Sequence, residues 1–368
     1  MKSVKLIIKT SSARYPIIIG PDISINLPKV LRSNSIKFQK CLIVIDKNIP
    51  NKMTSKVVKS FKGEKIFKYY FNAHEKNKNQ KNVNFILNIL LEKNFSRQDC
   101  LISIGGGITG DVCGFVASIF KRGLQFINVP STLLAQVDSS IGGKTGINTK
   151  QGKNLIGSFY QPKIVLSDSK FLTSLPKREI ICGYAEILKH ALIKNRKFFN
   201  YLNQNVFKIL NLKSPFIEKA IYESCKIKKF VVEKDENEKH LRKILNFGHT
   251  FAHAYEGAFG FSKRLNHGEA VILGMNSALK FSKQKKYIKN NDYNLIVNHL
   301  IKSKIPFSIK DFFSTKDIKK ILIFMMKDKK NNSKKINLIL LKKIGFPSID
   351  GQYSINSLKF FLSQELKN

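Results

Sequence analysis

Residues 100–111 read Cys100-Leu-Ile-Ser-Ile-Gly-Gly-Gly-Ile-Thr-Gly-Asp111. The first five form an apolar run of strand length. Gly105, Gly107 and Gly110 then fit the spacing G-x-G-x-x-G, and a helical pattern continues to Phe120. Strand, glycine turn and helix in that order make the phosphate cradle of a dinucleotide site. Glycines let backbone N–H groups approach a pyrophosphate, and the helix N-terminus adds partial positive charge. The turn follows the fourth or fifth strand, and no acidic residue ends a strand about 20 residues later. A tight turn without a ligand therefore stays open beside the phosphate cradle. Asp46, at the end of an earlier apolar run, is the candidate partner for a ribose hydroxyl.

On either side of this turn the texture is regular. Residues 1–10 alternate as a strand, and Cys41–Asp46, Lys65–Phe71 and Phe126–Pro130 are further strand-like runs. Helical patterns near 51–61, 77–93 and 108–119 separate them, a rhythm that predicts a parallel sheet with crossovers. From 177 onward the spacing predicts helices over 177–194, 213–233, 246–259 and 268–285, a strand-like run at Ile336–Leu341 and a helix over 355–365. The expected fold is an α/β nucleotide-binding domain over residues 1–176, a parallel sheet with helices. A mostly α-helical domain over 177–368 follows, with a ligand in the cleft between them.

The chain has 368 residues, with 65 Lys+Arg against 25 Asp+Glu, a formal charge of +40. Lysine is spread through loops and helices alike and mixed with Asn, Ile and Phe, so it reads as solvated surface rather than a nucleic-acid-binding face. No apolar run reaches the roughly 18–20 residues of a membrane helix. Residues 1–10 lack a signal-peptide core. Cys41, Cys100, Cys113, Cys182 and Cys225 are scattered without a CxxC pair. The expectation is a reduced, cytoplasmic protein that binds neither membrane nor nucleic acid.

After the glycine turn, residues 130–161 read PSTLLAQVDSSIGGKTGINTKQGKNLIGSFYQ. Gly142-Gly143-Lys144-Thr145 resembles the end of a P-loop, but Asp138 stands where the first P-loop glycine belongs, which argues against a nucleoside-triphosphate site. What remains is Lys144 and Lys153 on glycine-bearing turns, suited to phosphate or carboxylate, with Asp138 and Asn154 beside them. Further on, four of the seven histidines, His240, His249, His253 and His267, fall within a short stretch. His249 and His253 are spaced i, i+4, as are Glu186 and His190 with Lys189 between them. A catalytic zinc site takes three protein ligands and an open position. Spacing alone suggests His249 and His253 with one distant ligand, and leaves open which two of the three histidines coordinate.

GGGITGD (105–111), KRG (121–123), VPSTLLAQVDSSIGGKTGIN (129–148), GKNLIGSFYQP (152–162), GYAEILKH (183–190), NFGHTFAHAYE (246–256) and HGEAVILGM (267–275) occur in this order. Together they resemble the 3-dehydroquinate synthases, sugar-phosphate cyclases of the shikimate pathway leading to chorismate and the aromatic amino acids. The resemblance runs over nearly the whole chain. It implies a metal, zinc or cobalt, held by Glu186, His249 and His267, with His253 facing the substrate. It implies NAD over Gly107, Ile108, Thr109, Gly110 and Asp111, with Asp46 and Asn48 near the adenosine ribose. Further NAD positions are Ala73, His74, Glu75, Lys76, Asn77 and Lys78, then Ser131 and Thr132, Lys144, Lys153, and Phe171, Leu172, Thr173 and Ser174. The implied substrate pocket comprises Arg122, Asp138, Lys144, Asn154, Lys189, Lys228, Arg242, Asn246, His253 and, of the pair Lys329-Lys330, Lys329. Two positions depart from the family pattern: His74 and His240 stand where glycine is usual.

The implied activity converts 3-deoxy-D-arabino-heptulosonate 7-phosphate to 3-dehydroquinate and phosphate. Transient oxidation by NAD, phosphate elimination, re-reduction and intramolecular aldol closure follow one another without net redox change. The class is a phosphate-eliminating carbon–oxygen lyase, acting on a small anionic substrate and expected as a homodimer. The alternative is a related sugar-phosphate cyclase or a metal-dependent alcohol dehydrogenase of similar build. Arg242 and Asn246 favour the dehydroquinate pocket.

Overall fold

In the computed structural model, which describes residues 3–262, 264–327 and 335–367, the apolar runs of the N-terminal half join one seven-stranded sheet. In chain order its strands are β1 (Val4–Lys9), β2 (Arg14–Gly20), β3 (Lys40–Asp46), β4 (Lys65–Phe71), β5 (Cys100–Gly105) and β6 (Gln125–Pro130). A separate antiparallel hairpin of β7 (Lys144–Ile147) and β8 (Ile156–Phe159) follows, and β9 (Ile164–Asp168) returns to the sheet. The spatial order is β1-β2-β9-β6-β5-β3-β4, with β1 antiparallel to β2 and every other pairing parallel.

β3 and β5 are buried almost throughout because both faces of the sheet are covered, which is why they read as nearly continuous apolar runs, with Ser103 the one polar residue inside them. Their side chains alternate between two cores. Ile43, Ile45, Ile102 and Ile104 meet Leu27 and Leu31 of α1 (Leu27–Ser33) and Val57 of α2 (Asn51–Lys59). Leu42, Val44 and Leu101 meet Val83, Ile86 and Leu90 of α3 (Gln80–Glu92) and Val112 and Val116 of α4 (Gly107–Ile119). From β3 the chain steps outward to β4 and then back across to β5. The carboxyl ends of β3 and β5 therefore flank a topological switch point, where open α/β sheets bind their ligands. Asp46 ends one strand and the glycine turn ends the other.

Beyond the sheet come α5 (Lys177–Lys194), α6 (Arg196–Leu210), α7 (Phe216–Lys234), α8 (His249–Ala258), α9 (His267–Gln284), α10 (Asn290–Ser303) and α11 (Ile318–Lys327). An antiparallel hairpin of β10 (Lys335–Lys343) and β11 (Phe346–Ser354) and the helix α12 (Ile355–Lys367) complete the described chain. Contacts gather Met1–Ile180 with Leu212–Asn237 into one unit and Ile181–Asn211 with Glu238–Asn368 into another. This differs from the single expected boundary at 176/177. The segment carrying α7 packs on the sheet unit, against β1, β2 and the turn at 135–139. Helices α1, α6, α10 and α11 and strands β2, β7, β8, β9 and β11 are additions to the elements expected from spacing. Among the described residues no helix is long and apolar enough to cross a membrane, and all five cysteines are free and buried.

Candidate active site

In the helical unit, Glu186 of α5, His249 at the start of α8 and His267 at the start of α9 each place one donor atom within 4.8 Å of the others. Both histidines stand where a helix begins, for different local reasons. Gly248 precedes α8 with a left-handed backbone (φ 79°), and a Cβ there would lie 2.7 Å from the backbone nitrogen of Met275. Before α9, a capping box sets the start: the Asn266 side chain accepts from the N–H of Glu269 at 2.9 Å, and Glu269 accepts from the N–H of Asn266 at 3.0 Å. At Gly274 of α9, a Cβ would lie 2.2 Å from the Gly248 carbonyl oxygen, so α8 and α9 approach at backbone distance.

The donor chemistry fits a divalent ion. Glu186 is buried; its Oε2 is ion-paired to Lys189, while Oε1 has no hydrogen-bond partner. A buried carboxylate with unused lone pairs is costly unless a cation takes them. Nε2 of His249 lies 3.6 Å from Glu186 Oε1, while its Nδ1 is 3.3 Å from the Phe247 carbonyl oxygen. Donation from Nδ1 to that carbonyl leaves Nε2 as the lone-pair nitrogen. His267 is held the same way, by Glu256 Oε2 at 3.3 Å from Nδ1. Burial, reinforced by Lys189 and the neighbouring imidazoles, pulls the His249 pKa well below the usual histidine range and keeps the ring neutral, as a metal ligand must be. Burial also disfavours charge on His267, but Glu256 and then Glu186 outweigh it and its pKa is raised.

His253, one turn after His249, has its ring centroid 5.5 Å from that of His249 and 6.3 Å from that of His267, outside the three-donor group. Spacing alone favoured the His249–His253 pair; the fold instead joins His249 to residues distant in sequence. Lys189 and Arg242 are buried, and Asn246 Nδ2 lies 3.4 Å from Glu238 Oε1. His240 precedes the short 3-10 segment Leu241–Asn246. Lys329 falls outside the described residues.

In the sheet unit, Gly107 through Asp111 open α4. A Cβ on Gly105 would lie 2.4 Å from Thr109 Oγ1, so a side chain there would close the turn. Ser131 follows β6 and its N–H bonds the Gly105 carbonyl at 2.9 Å; Thr132 Oγ1 accepts from the N–H of Ala135 at 3.2 Å. Asp46 Oδ1 accepts from both the backbone N–H and Nδ2 of Asn48 at 2.9 Å; burial raises the Asp46 pKa against those bonds. The stretch from Ala73 to Lys78 follows β4 and holds a short 3-10 turn, Glu75–Asn77, whose first bonds are closed by His74 Nδ1 accepting from the N–H of Lys76 at 3.2 Å. Phe171, Leu172, Thr173 and Ser174 lie in the 3-10 segment after β9, with Phe171 in the core.

Buried lysines separate function from composition in so basic a chain. Lys78 is withdrawn from water and donates to Asp111 Oδ2 and Asn154 Oδ1, both at 2.5 Å. Burial raises the Asp111 pKa, and Lys78 opposes that rise. Lys228 of α7 donates to the backbone oxygen of Asp138 at 2.6 Å and to its carboxylate at 2.5 Å. Asp138 sits on a single π-turn, Ala135–Ser139, the kind of local bulge that re-aims side chains at functional sites. Arg122 and Asn154 both have left-handed backbones (φ 64° and 55°). Lys144 begins β7 rather than lying on a turn, and Lys153 lies between β7 and β8.

Two residues that spacing did not single out take part in these networks. Glu256 is seven positions after His249, two turns along the same helix face. Asn148 follows β7 and bonds Glu75 and Asn154. Glu256 ends the quoted NFGHTFAHAYE, so its i+7 relation to His249 was the available signal; Asn148 offered none beyond closing a glycine-rich run.

A family model described as 3-dehydroquinate synthase N-terminal matches residues 68–182, and one described as 3-dehydroquinate synthase C-terminal matches residues 183–331. A 3-dehydroquinate synthase of Pelagibacter ubique is 58% identical over 366 residues, covering 100% of both chains. Among solved structures, 2-deoxy-scyllo-inosose synthase complexed with carbaglucose-6-phosphate, NAD+ and Co2+ superposes with a TM-score of 0.87 at 23% identity, covering 98% of this chain and 100% of that one. The 2-epi-5-epi-valiolone synthase of Streptomyces hygroscopicus, with NAD+ and Zn2+ bound, gives a TM-score of 0.84 at 21% identity, covering 98% of each chain. At these identities the two structures establish the shared fold.

Proposed function

The chain belongs to the 3-dehydroquinate synthase family, and on that premise we propose that it converts 3-deoxy-D-arabino-heptulosonate 7-phosphate to 3-dehydroquinate and phosphate, as a cytoplasmic, homodimeric lyase. The observation that carries the reading is the convergence of Glu186, His249 and His267 within 4.8 Å from three separate helices. When bound, NAD supplies a reversible oxidation of a secondary alcohol, and zinc or cobalt supplies Lewis-acid polarisation of sugar hydroxyls. Glu186, His249 and His267 would hold the metal. Asp46, the glycine turn, Glu75, Lys78, Lys144, Lys153 and the 171–174 segment would hold NAD.

The remaining residues serve the substrate. A sugar acid phosphate carries anionic groups at opposite ends of a small molecule, and Lys144, Lys189, Lys228, Arg122 and Arg242 supply the matching cations. Lys228 is already oriented by Asp138, and Asn154 by Lys78, so neither side chain has to be ordered when substrate arrives. His253, its ring centroid 5.5 Å from that of His249, would exchange a proton beside the metal ligands. Holding both ends of the chain bent favours ring closure by proximity.

The test is phosphate release from the heptulosonate phosphate by the purified protein with NAD and zinc, beside metal analysis of wild type and His267→Ala. Wild type should release phosphate without accumulating NADH, and His267→Ala should lose both metal and activity. Zinc-loaded wild type that releases no phosphate with NAD present refutes the activity. Full metal occupancy in His267→Ala refutes the ligand set, and free NADH building up during turnover favours the dehydrogenase alternative.

A further inference from the structure

Asn148 follows β7, and both ends of its side-chain amide are engaged. Nδ2 donates to the Glu75 carboxylate at 2.7 Å, with the Glu75 carbonyl oxygen at 3.4 Å, and Oδ1 accepts from the backbone N–H of Asn154 at 3.0 Å. Its own backbone N–H donates to the Lys78 carbonyl oxygen at 2.8 Å. The amide cannot be turned over, because the carboxylate only accepts and the N–H only donates. Asn154, in turn, has a left-handed backbone (φ 55°) and accepts from Lys78 Nζ at 2.5 Å. A non-glycine residue keeps that conformation only where its surroundings fix it. Asn148 holds its N–H and Lys78 holds its side chain.

From this geometry we infer that Asn148 is a positioning residue that sets the cofactor loop and the substrate residue Asn154 together, one end of its amide for each. The inference rests on the assignment of Glu75 and Lys78 to NAD and Asn154 to substrate. The two ends are separable. Asn148→Asp is nearly isosteric and keeps an acceptor for the Asn154 N–H, but it loses the donor to Glu75 and sets two carboxylates against each other. Asn148→Ala loses both ends.

The experiment is calorimetric titration of NAD into the zinc-loaded wild type and both variants, with KM for the heptulosonate phosphate measured at saturating NAD. Loss of a hydrogen bond to a charged group weakens binding roughly 10–100-fold. Asn148→Asp should therefore weaken NAD by that factor and leave substrate KM within about twofold of wild type, while Asn148→Ala should weaken both. Parallel losses of NAD and substrate affinity in both variants, the mark of general loosening, would overturn the inference, as would NAD affinity unchanged in both. Failure of wild type to bind NAD strikes instead at the underlying cofactor assignment.

Discussion

The Glu256 carboxylate lies 3.3 Å from Nδ1 of His267, so a proton on Nδ1 is held there and Nε2 is left as the lone-pair nitrogen. Carboxylates placed behind a metal-bound imidazole fix its tautomer and strengthen it as a ligand. Glu256→Ala should weaken zinc binding roughly 10–100-fold, with a smaller loss in Glu256→Gln, which keeps an acceptor. Competition against a chromogenic chelator measures this directly. Equal zinc affinity in all three proteins would show the contact to be idle.

Gly274 brings α9 onto α8 at backbone distance, with a Cβ placed 2.2 Å from the Gly248 carbonyl oxygen and 2.8 Å from the nitrogen of Ala252. Gly274→Ala must push the two helices apart. A cost of about 1–3 kcal/mol is expected in urea unfolding, together with weaker zinc binding because His249 and His267 ride on the separated helices. A variant as stable as wild type with unaltered zinc affinity would contradict the close approach.

Lys228 contributes two bonds to Asp138, at 2.6 and 2.5 Å, from a buried position on α7. Lys228→Met keeps most of the packing and removes the charge. On the proposed reading kcat/KM should fall roughly 10–100-fold while zinc content stays at wild-type level. A full turnover rate in Lys228→Met would remove Lys228 from the substrate site.

Glu236 ties the 10–13 turn to the end of α7: its carboxylate accepts from Ser11 Oγ at 2.6 Å, from Ser12 and from Gln161 Nε2 at 2.8 Å. Burial works against its ionisation, but these bonds outweigh burial and lower its pKa from 4.5 to about 2. A carboxyl group with a lowered folded-state pKa contributes stability that is fully present above its unfolded value and fades as pH falls through the folded one. The difference in urea midpoint between wild type and Glu236→Gln should therefore be constant above pH 4.5 and shrink toward pH 2. A difference that does not change over that window would show the carboxylate to be unperturbed.

The sheet interior is legible wherever burial on both faces makes a strand apolar at nearly every position, as in Cys41–Ile45 and, with Ser103 as its one polar residue, Cys100–Ile104. β2 hides its isoleucines behind Arg14 and Pro16, and β9 offers only Ile164–Leu166 before Ser167 and Asp168, yet they pair with each other at Ile17 and Val165 across most of the domain. Strand order depends on pairings of this reach and leaves no local mark. α7 carries the same amphipathic pattern as its neighbours in the chain. On the sheet unit it meets β1 and β2, and Cys225 and Lys228 donate to the backbone oxygens of Gln136 and Asp138, partners remote in sequence. At the donor cluster, spacing exposes the histidines but cannot choose among them. Two histidines one turn apart look paired, whereas the fold selects one from each of two helix starts and adds a carboxylate from a third helix.

Because Leu212–Asn237 rejoins the first unit after Ile181–Asn211 has entered the second, neither unit is a continuous stretch of polypeptide. During synthesis the sheet emerges long before α7, so its β1–β2 edge and the π-turn stay uncovered until residue 237 has left the ribosome. Glu186 emerges ahead of that event, and His249 and His267 after it. A gene cut after residue 176 would accordingly yield an N-terminal fragment lacking its own covering helix, whereas a circular permutant opened in an exposed loop retains every partner.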